Sequence, residues 1–172
     1  MKHDVSKEDL EIITKQLGRS PAGICKIMLR DAKNRPVVLK VLPMVRNKPF
    51  PSLYWLSHQK LSHEISHLEA QGLIKKLEQD IIPNDETFAS QLKAANEEYA
   101  KKRYQELTKI ENWENLPPSY IESIKSKGVG GLGDFSRVRC LHMHYAHHLV
   151  ATNPVGQYLD QHFPQLKKSL LT

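Results

Sequence analysis

Cysteine is scarce. Cys25 and Cys140 are the only two in 172 residues, too few for a disulfide framework, which excludes the small stapled secreted folds. Long apolar runs are missing as well: no stretch approaches the roughly 20 residues that a membrane-spanning helix needs. The opening segment MKHDVSKEDLEII contains no hydrophobic leader core, so the expected location is cytoplasmic, with reduced thiols and no membrane partner. Glycine is sparse at 8 residues and follows no fixed period, which excludes fibrous classes, and the sequence carries no internal repeat. What remains is an ordinary globular mixture, 40% hydrophobic and 26% charged. A chain of this size should bury about 70% of its unfolded surface, enough for one domain with its own core.

Charge is present but uneven. The net charge is +6, yet residues 1–60 carry 12 Lys/Arg against 5 Asp/Glu, whereas 61–172 carry 13 against 14. A basic first third favours phosphate-bearing partners, either a nucleotide-like metabolite or nucleic acid. The competing reading is a solvated basic surface with no specific partner.

Ser6 and Asp9 resemble a capping box, Leu10, Ile13 and Leu17 form a helical stripe, and Gly18 suits a left-handed stop. Segments 22–30 and 36–44 read as strands around a 31–35 loop, with a third short strand at 52–56. Lys26, Arg30 and Lys40 would make that sheet basic, with Tyr54 or Trp55 available for stacking; interleaved Ile, Val and Leu argue instead for core. Leu61, Ile65 and Leu68 mark a helix capped by Ser57 or Ser62. A long helix is expected over 85–110, whose Lys93, Glu97, Glu98, Lys101, Lys102 and Arg103 read as a solvated flank. After Pro117-Pro118 a short helix spans 119–126. Another is expected over 135–151, and a last one follows Asn153-Pro154-Val155-Gly156.

The chemistry concentrates in RCLHMHYAHH, which holds four of the nine histidines. On a helix turning about 100° per residue, Arg137, Cys140, His144 and His147 share one face and His142 lies on the opposite one. A thiol beside Arg and His tends toward thiolate, the reactive form; a small buried cysteine without a role is the alternative. His142 reads most simply as a satisfied core histidine. A zinc ion could take Cys140 with His144, or His144 with His147 or His148, but further ligands would have to come from elsewhere. His63-Glu64-Ile65-Ser66-His67 matches H-E-x-x-H, yet its histidines fall opposite the apolar stripe, where a chance match is the better reading. GVGGLG at 128–133, followed by Asp134 and Ser136, reads as a loop opening a helix; Arg137 and Arg139 would complement an anion there.

Several stretches also occur together in order: Gln16-Leu17-Gly18-Arg19, Pro49-Phe50-Pro51-Ser52-Leu53-Tyr54-Trp55-Leu56, Ser66-His67-Leu68-Glu69 with Gly72, Arg137-Val138-Arg139-Cys140-Leu141-His142 with Ala146-His147, and Asn153-Pro154-Val155-Gly156. Over about 16–157 the chain resembles the bacterial domain-of-unknown-function family 501. The resemblance brings no activity. It implies a cytosolic bacterial protein and points to Arg19, Arg137, Cys140, His142, His147 and Asn153 as matching motif positions. The family pattern does not require histidine at 63, 67 or 144, which removes the H-E-x-x-H reading and demotes His144. The loop before Arg137 is longer than that pattern has, which weakens its anion role. The pattern takes Cys140, His142 and His147 together, whereas the helical wheel splits them. Either His142 is structural, or the helix starts near 141 with Cys140 in the preceding turn, where a thiol–imidazole pair or a metal site becomes feasible.

The expected fold is α+β, a small antiparallel three-stranded sheet packed against a mainly helical remainder, forming one domain over 1–172. Residues 1–60 supply the first helix and the basic β region; 61–172 supply the helices and the Arg/Cys/His motif. The leading functional expectation is binding of a phosphate-bearing ligand through Arg19, Arg137, Arg139 and Asn153, beside a Cys140/His147 centre. The alternatives are a thiol- or metal-dependent hydrolase on Cys140, His142 and His147, with zinc as the metal, and a non-catalytic protein-interaction module.

Overall fold

Ser6 begins the first helix by accepting from the Asp9 amide, and Gly18, at φ 67°, ends it in the left-handed region; α1 is Lys7–Leu17. The computed structural model describes residues 5–171. Strands β1 (Ile24–Arg30) and β2 (Pro36–Val41) form an antiparallel hairpin. Its loop closes on the Asp31 carboxylate, which accepts from the Lys33 and Arg35 amides at 2.9 and 2.8 Å.

A second, two-stranded sheet then follows, β3 (Met44–Val45) with β4 (Lys48–Pro49), which the sequence reading lacks. Its two turn residues, Arg46 and Asn47, have φ 51° and 59°. Two left-handed residues give a turn whose twist suits a tight hairpin. The last strand, β5 (Tyr54–Leu56), pairs with β2, so the main sheet runs β1-β2-β5 and is antiparallel throughout.

Helices account for most of the rest: α2 (Gln59–Ala70), α3 (Leu73–Lys76), α4 (Glu86–Leu107), α5 (Pro118–Ser126), α6 (Leu141–His148), α7 (Pro154–His162) and α8 (Gln165–Lys168). The architecture is the expected α+β arrangement. Alternation along β2 sends Val38 into the main core with Leu56, Tyr99 and Tyr145, while Leu39 joins Ile13 and Ile24 beneath α1. The central strand is therefore buried on both faces, which explains its nearly unbroken apolar sequence. Among the described residues no helix is long and apolar enough to cross a membrane.

Several local expectations need correction. The cap of α2 is neither Ser57 nor Ser62: His58 Nδ1 accepts from the Leu61 amide at 3.2 Å. Arg103 is not on a solvated flank. It is fully buried, donates to the carbonyls of Pro51, Ser123, Ile124 and Lys127, and lies 5.8 Å from the Tyr99 ring centre. Five directional donors let one guanidinium satisfy carbonyls from two loops at once.

The glycine-rich segment opens no helix. A Cβ on Gly128 would come within 2.3 Å of Asn96 Oδ1, and that same oxygen accepts from the Val129 amide at 2.8 Å. Glycine is required there so that the loop can close on α4. The expected 135–151 helix is shorter and begins at Leu141. Two remote carboxylates account for this: Glu78 accepts from the Val138 amide at 3.1 Å and Glu69 from the Leu141 amide at 2.6 Å. The chain before Leu141 is thereby held out of helical geometry, and Cys140, at φ −147° and ψ 115°, becomes the N-terminal flanking residue.

Candidate functional site

The early start of α6 settles the orientation of the thiol. With Cys140 in extended geometry rather than on a helical face, its Sγ turns toward His142 and lies 3.8 Å from that ring's Nδ1. Glu69, in the last turn of α2, brings Oε1 to 3.3 Å from the same nitrogen. One donor atom from each of Glu69, Cys140 and His142 lies within 4.8 Å of the others.

The other ring nitrogen has a fixed role. His142 Nε2 is 3.0 Å from the Ser62 carbonyl oxygen and 3.2 Å from Ser66 Oγ. A carbonyl can only accept, so Nε2 carries a proton and leaves Nδ1 facing the sulfur and the carboxylate. The His142 and Glu69 side chains remain 24% and 26% exposed, so solvent reaches the group. Burial alone would push the imidazole down, but Cys140, Glu69 and the Ser62 carbonyl outweigh it and hold its pKa up at about 10. For Glu69, burial works upward and is outweighed by His142 and the Leu141 amide, leaving its carboxyl below the ordinary value.

His147 does not join this cluster. It is fully buried, its ring stacked 6.0 Å from Tyr54 at 9° and set edge-on to Tyr99 at 5.1 Å. Its polar partner is Asn153. That amide's Oδ1 accepts from the Val155 and Gly156 amides, at 3.0 and 3.4 Å. Its nitrogen therefore faces His147 Nδ1 at 3.2 Å and donates to it, while His144 Nδ1 lies 3.1 Å from the same nitrogen and 3.3 Å from Oδ1. His147 is consequently protonated on Nε2, and the Nε2 of neither ring has a partner among the described residues. Burial is the main force that drives both down to about 4, so both are neutral near pH 7. Asn153-Pro154-Val155-Gly156 is a helix start: Asn153 caps α7, and Gly156 lies so close to His148 that a Cβ would stand 2.1 Å from that residue's Cβ.

The three arginines do not converge. Arg137 is exposed and holds Glu78 through Nε and Nη2, each at 3.1 Å. Arg139 is also exposed, with its stem beside Gly130. Arg19 lies over the Trp55 ring, 5.2 Å from its centre, in a separate cleft with Arg46 and Lys48. The basic sheet is largely neutralised, because Arg30 pairs with Asp9 and Lys40 with Glu106, both at 2.8 Å.

His63 and His67 are exposed, with their Nε2 atoms 3.0 Å apart, while the intervening Glu64 accepts from the Ser169 hydroxyl. The carboxylate of the H-E-x-x-H string is thus engaged away from the two rings. Glu69 is the residue that sequence reasoning missed. It stands within the Ser66-His67-Leu68-Glu69 motif, four positions after the core residue Ile65, and so falls on the helix face turned toward the protein.

No curated protein and no solved structure matches the chain. A family model described as a protein of unknown function, DUF501, matches residues 27–161. That span covers most of the sequence, and the chain belongs to the DUF501 family.

Proposed function

We propose that Glu69, Cys140 and His142 hold one divalent transition-metal ion, zinc in the first instance, and that the ion activates water for a hydrolytic reaction. The observation that carries this reading is the convergence of thiol and carboxylate on one ring nitrogen while the other donates to a backbone carbonyl. A metal-bound histidine is oriented in just this way by its outer hydrogen bond. Zinc with tetrahedral bonds of about 2.0 Å to nitrogen and oxygen and 2.3 Å to sulfur would separate N from O by about 3.3 Å and N from S by about 3.5 Å. The corresponding separations here are 3.3 and 3.8 Å.

A thiol nucleophile with a histidine base fits less well. In such a relay the base and its orienting carboxylate use opposite ring nitrogens, whereas here Cys140 and Glu69 face the same one. A thiolate and a carboxylate together would neutralise a doubly charged ion. That ion would take the place of the Nδ1 proton, which the same two groups favour in the metal-free protein, and release it to solvent. Three protein ligands leave a fourth position to water, whose pKa a zinc ion lowers to about 7.

The test is titration of chelator-stripped, tag-free protein with cobalt(II). One equivalent should bind with a thiolate-to-cobalt charge-transfer band. Cys140→Ser should abolish that band, and His142→Ala and Glu69→Gln should each weaken binding by about tenfold or more. Absence of the band, or unchanged affinity in Cys140→Ser, overturns the reading.

A further inference from the structure

The cleft holding Arg19 is independent of the Cys140 cluster and has a chemistry of its own. We propose that it binds a nucleobase carrying a phosphate, the base against Trp55 and the phosphate on Arg46 and Lys48.

Its walls are segment 19–22, the β3–β4 hairpin with Phe50, and Trp55 of β5, around a space of about 610 Å³. That volume lies within the range of small-ligand sites. Arg19, Arg46 and Lys48 line it, and no carboxylate does. Elsewhere in the basic first third, Arg30, Arg35 and Lys40 are each matched by an acid. Among the described residues, Arg19, Arg46 and Lys48 form no ion pair; Lys7, Lys15, Lys26 and Lys33 form none either, but only the first three line this cleft together.

The aromatic wall supplies the second half of the recognition. Phe50 meets Trp55 edge-on, with ring centres 5.5 Å apart at 73°, which fixes the indole plane. The guanidinium of Arg19 lies over that ring. A flat cation on an indole marks a surface on which a base can stack, either in its place or against it. The hairpin carrying the other two cations is firmly seated. Gly23, at φ 75°, approaches Val45 so closely that a Cβ would come within 2.5 Å of its methyl carbon, and the Phe50 amide donates to the Pro43 carbonyl at 2.7 Å. The backbone that carries the two cationic side chains is thus held in place beside the ring.

The same chemistry is offered by a free nucleotide and by a single-stranded RNA. Fluorescence of Trp55, read in a Trp113→Phe background, distinguishes them, with AMP and a short oligouridylate as probes. Saturable quenching is expected. AMP binding as tightly as the oligomer assigns the free nucleotide, and quenching by the oligomer alone assigns the strand. Adenosine and ribose 5-phosphate, each lacking half of the recognition, should bind about tenfold more weakly than AMP in the first case. The exposed pair Arg46→Glu and Lys48→Glu should abolish quenching while leaving the far-ultraviolet circular dichroism unchanged. No saturable quenching by either probe, ribose 5-phosphate binding as tightly as AMP, or full affinity in the folded double variant overturns the proposal.

Discussion

The two ends of α6 carry the same residue type in opposite states. At its start His142 is reached by solvent, faces a carboxylate, and has a pKa of about 10. Further along, His147 is enclosed by Tyr54 and Tyr99 and has a pKa of about 4. Both rings lose hydration. The first recovers it from Glu69 and the Ser62 carbonyl, whereas the second receives one amide hydrogen from Asn153, which stabilises only the neutral form. A cluster of histidines in a sequence is therefore not one site. The outer end of this helix is built for positive charge and the inner end excludes it.

The largest expected effect comes from the residue that sets the inner end. Asn153→Ala should cost about 3 kcal/mol, because it removes the α7 cap and leaves two buried imidazoles without their polar partner. Urea denaturation measures this, and a loss under about 1 kcal/mol would mean that the inner histidines are not held as described.

Acidification gives an effect of comparable size. His147 has an ordinary pKa of 6.5 that falls to about 4 on folding. Its stabilising contribution is therefore complete above about pH 6.5 and is lost as pH falls through 4, a change of about 3 kcal/mol. Glu98 favours the charged ring, while Lys102 and His148 oppose it. His147→Gln should flatten stability between these two pH values relative to the parent, and an identical slope would remove the contrast between the helix ends.

The smallest effect belongs to Arg137→Ala. This exposed side chain meets Glu78 in water, where ion pairs contribute little, so the denaturation midpoint should not move measurably. Glu78→Ala should shift it further, because that carboxylate also holds the Val138 amide. Equal shifts would show that the arginine, rather than the carboxylate, shapes the approach to Cys140.

Much of the fold is legible because its signals are local. Ser6 and Gly18 bracket α1, apolar spacing marks α4, and alternation marks the main hairpin. The second hairpin escapes notice because Arg46-Asn47 is not among the strongest turn pairs, although asparagine tolerates the left-handed region. The start of α6 depends on Glu69 and Glu78, which lie far back in the sequence. Periodicity through 135–140 therefore extends the helix too far, and the helical wheel drawn on it sends Cys140 and His142 to opposite sides. Arg103 was readable in principle. It follows Tyr99 by four positions and precedes Leu107 by four, within the buried row of α4, but a charged residue in a mixed-sign run is ordinarily assigned to water.

That arginine also constrains redesign. It binds Pro51, next to the Phe50 wall of the basic cleft, and Lys127, next to the Gly128 turn. A lysine could not replace it, since an ammonium lacks the planar fork needed to bridge both loops. Reshaping the cleft by loop grafting must therefore preserve a buried rivet on α4, or the two loops will part.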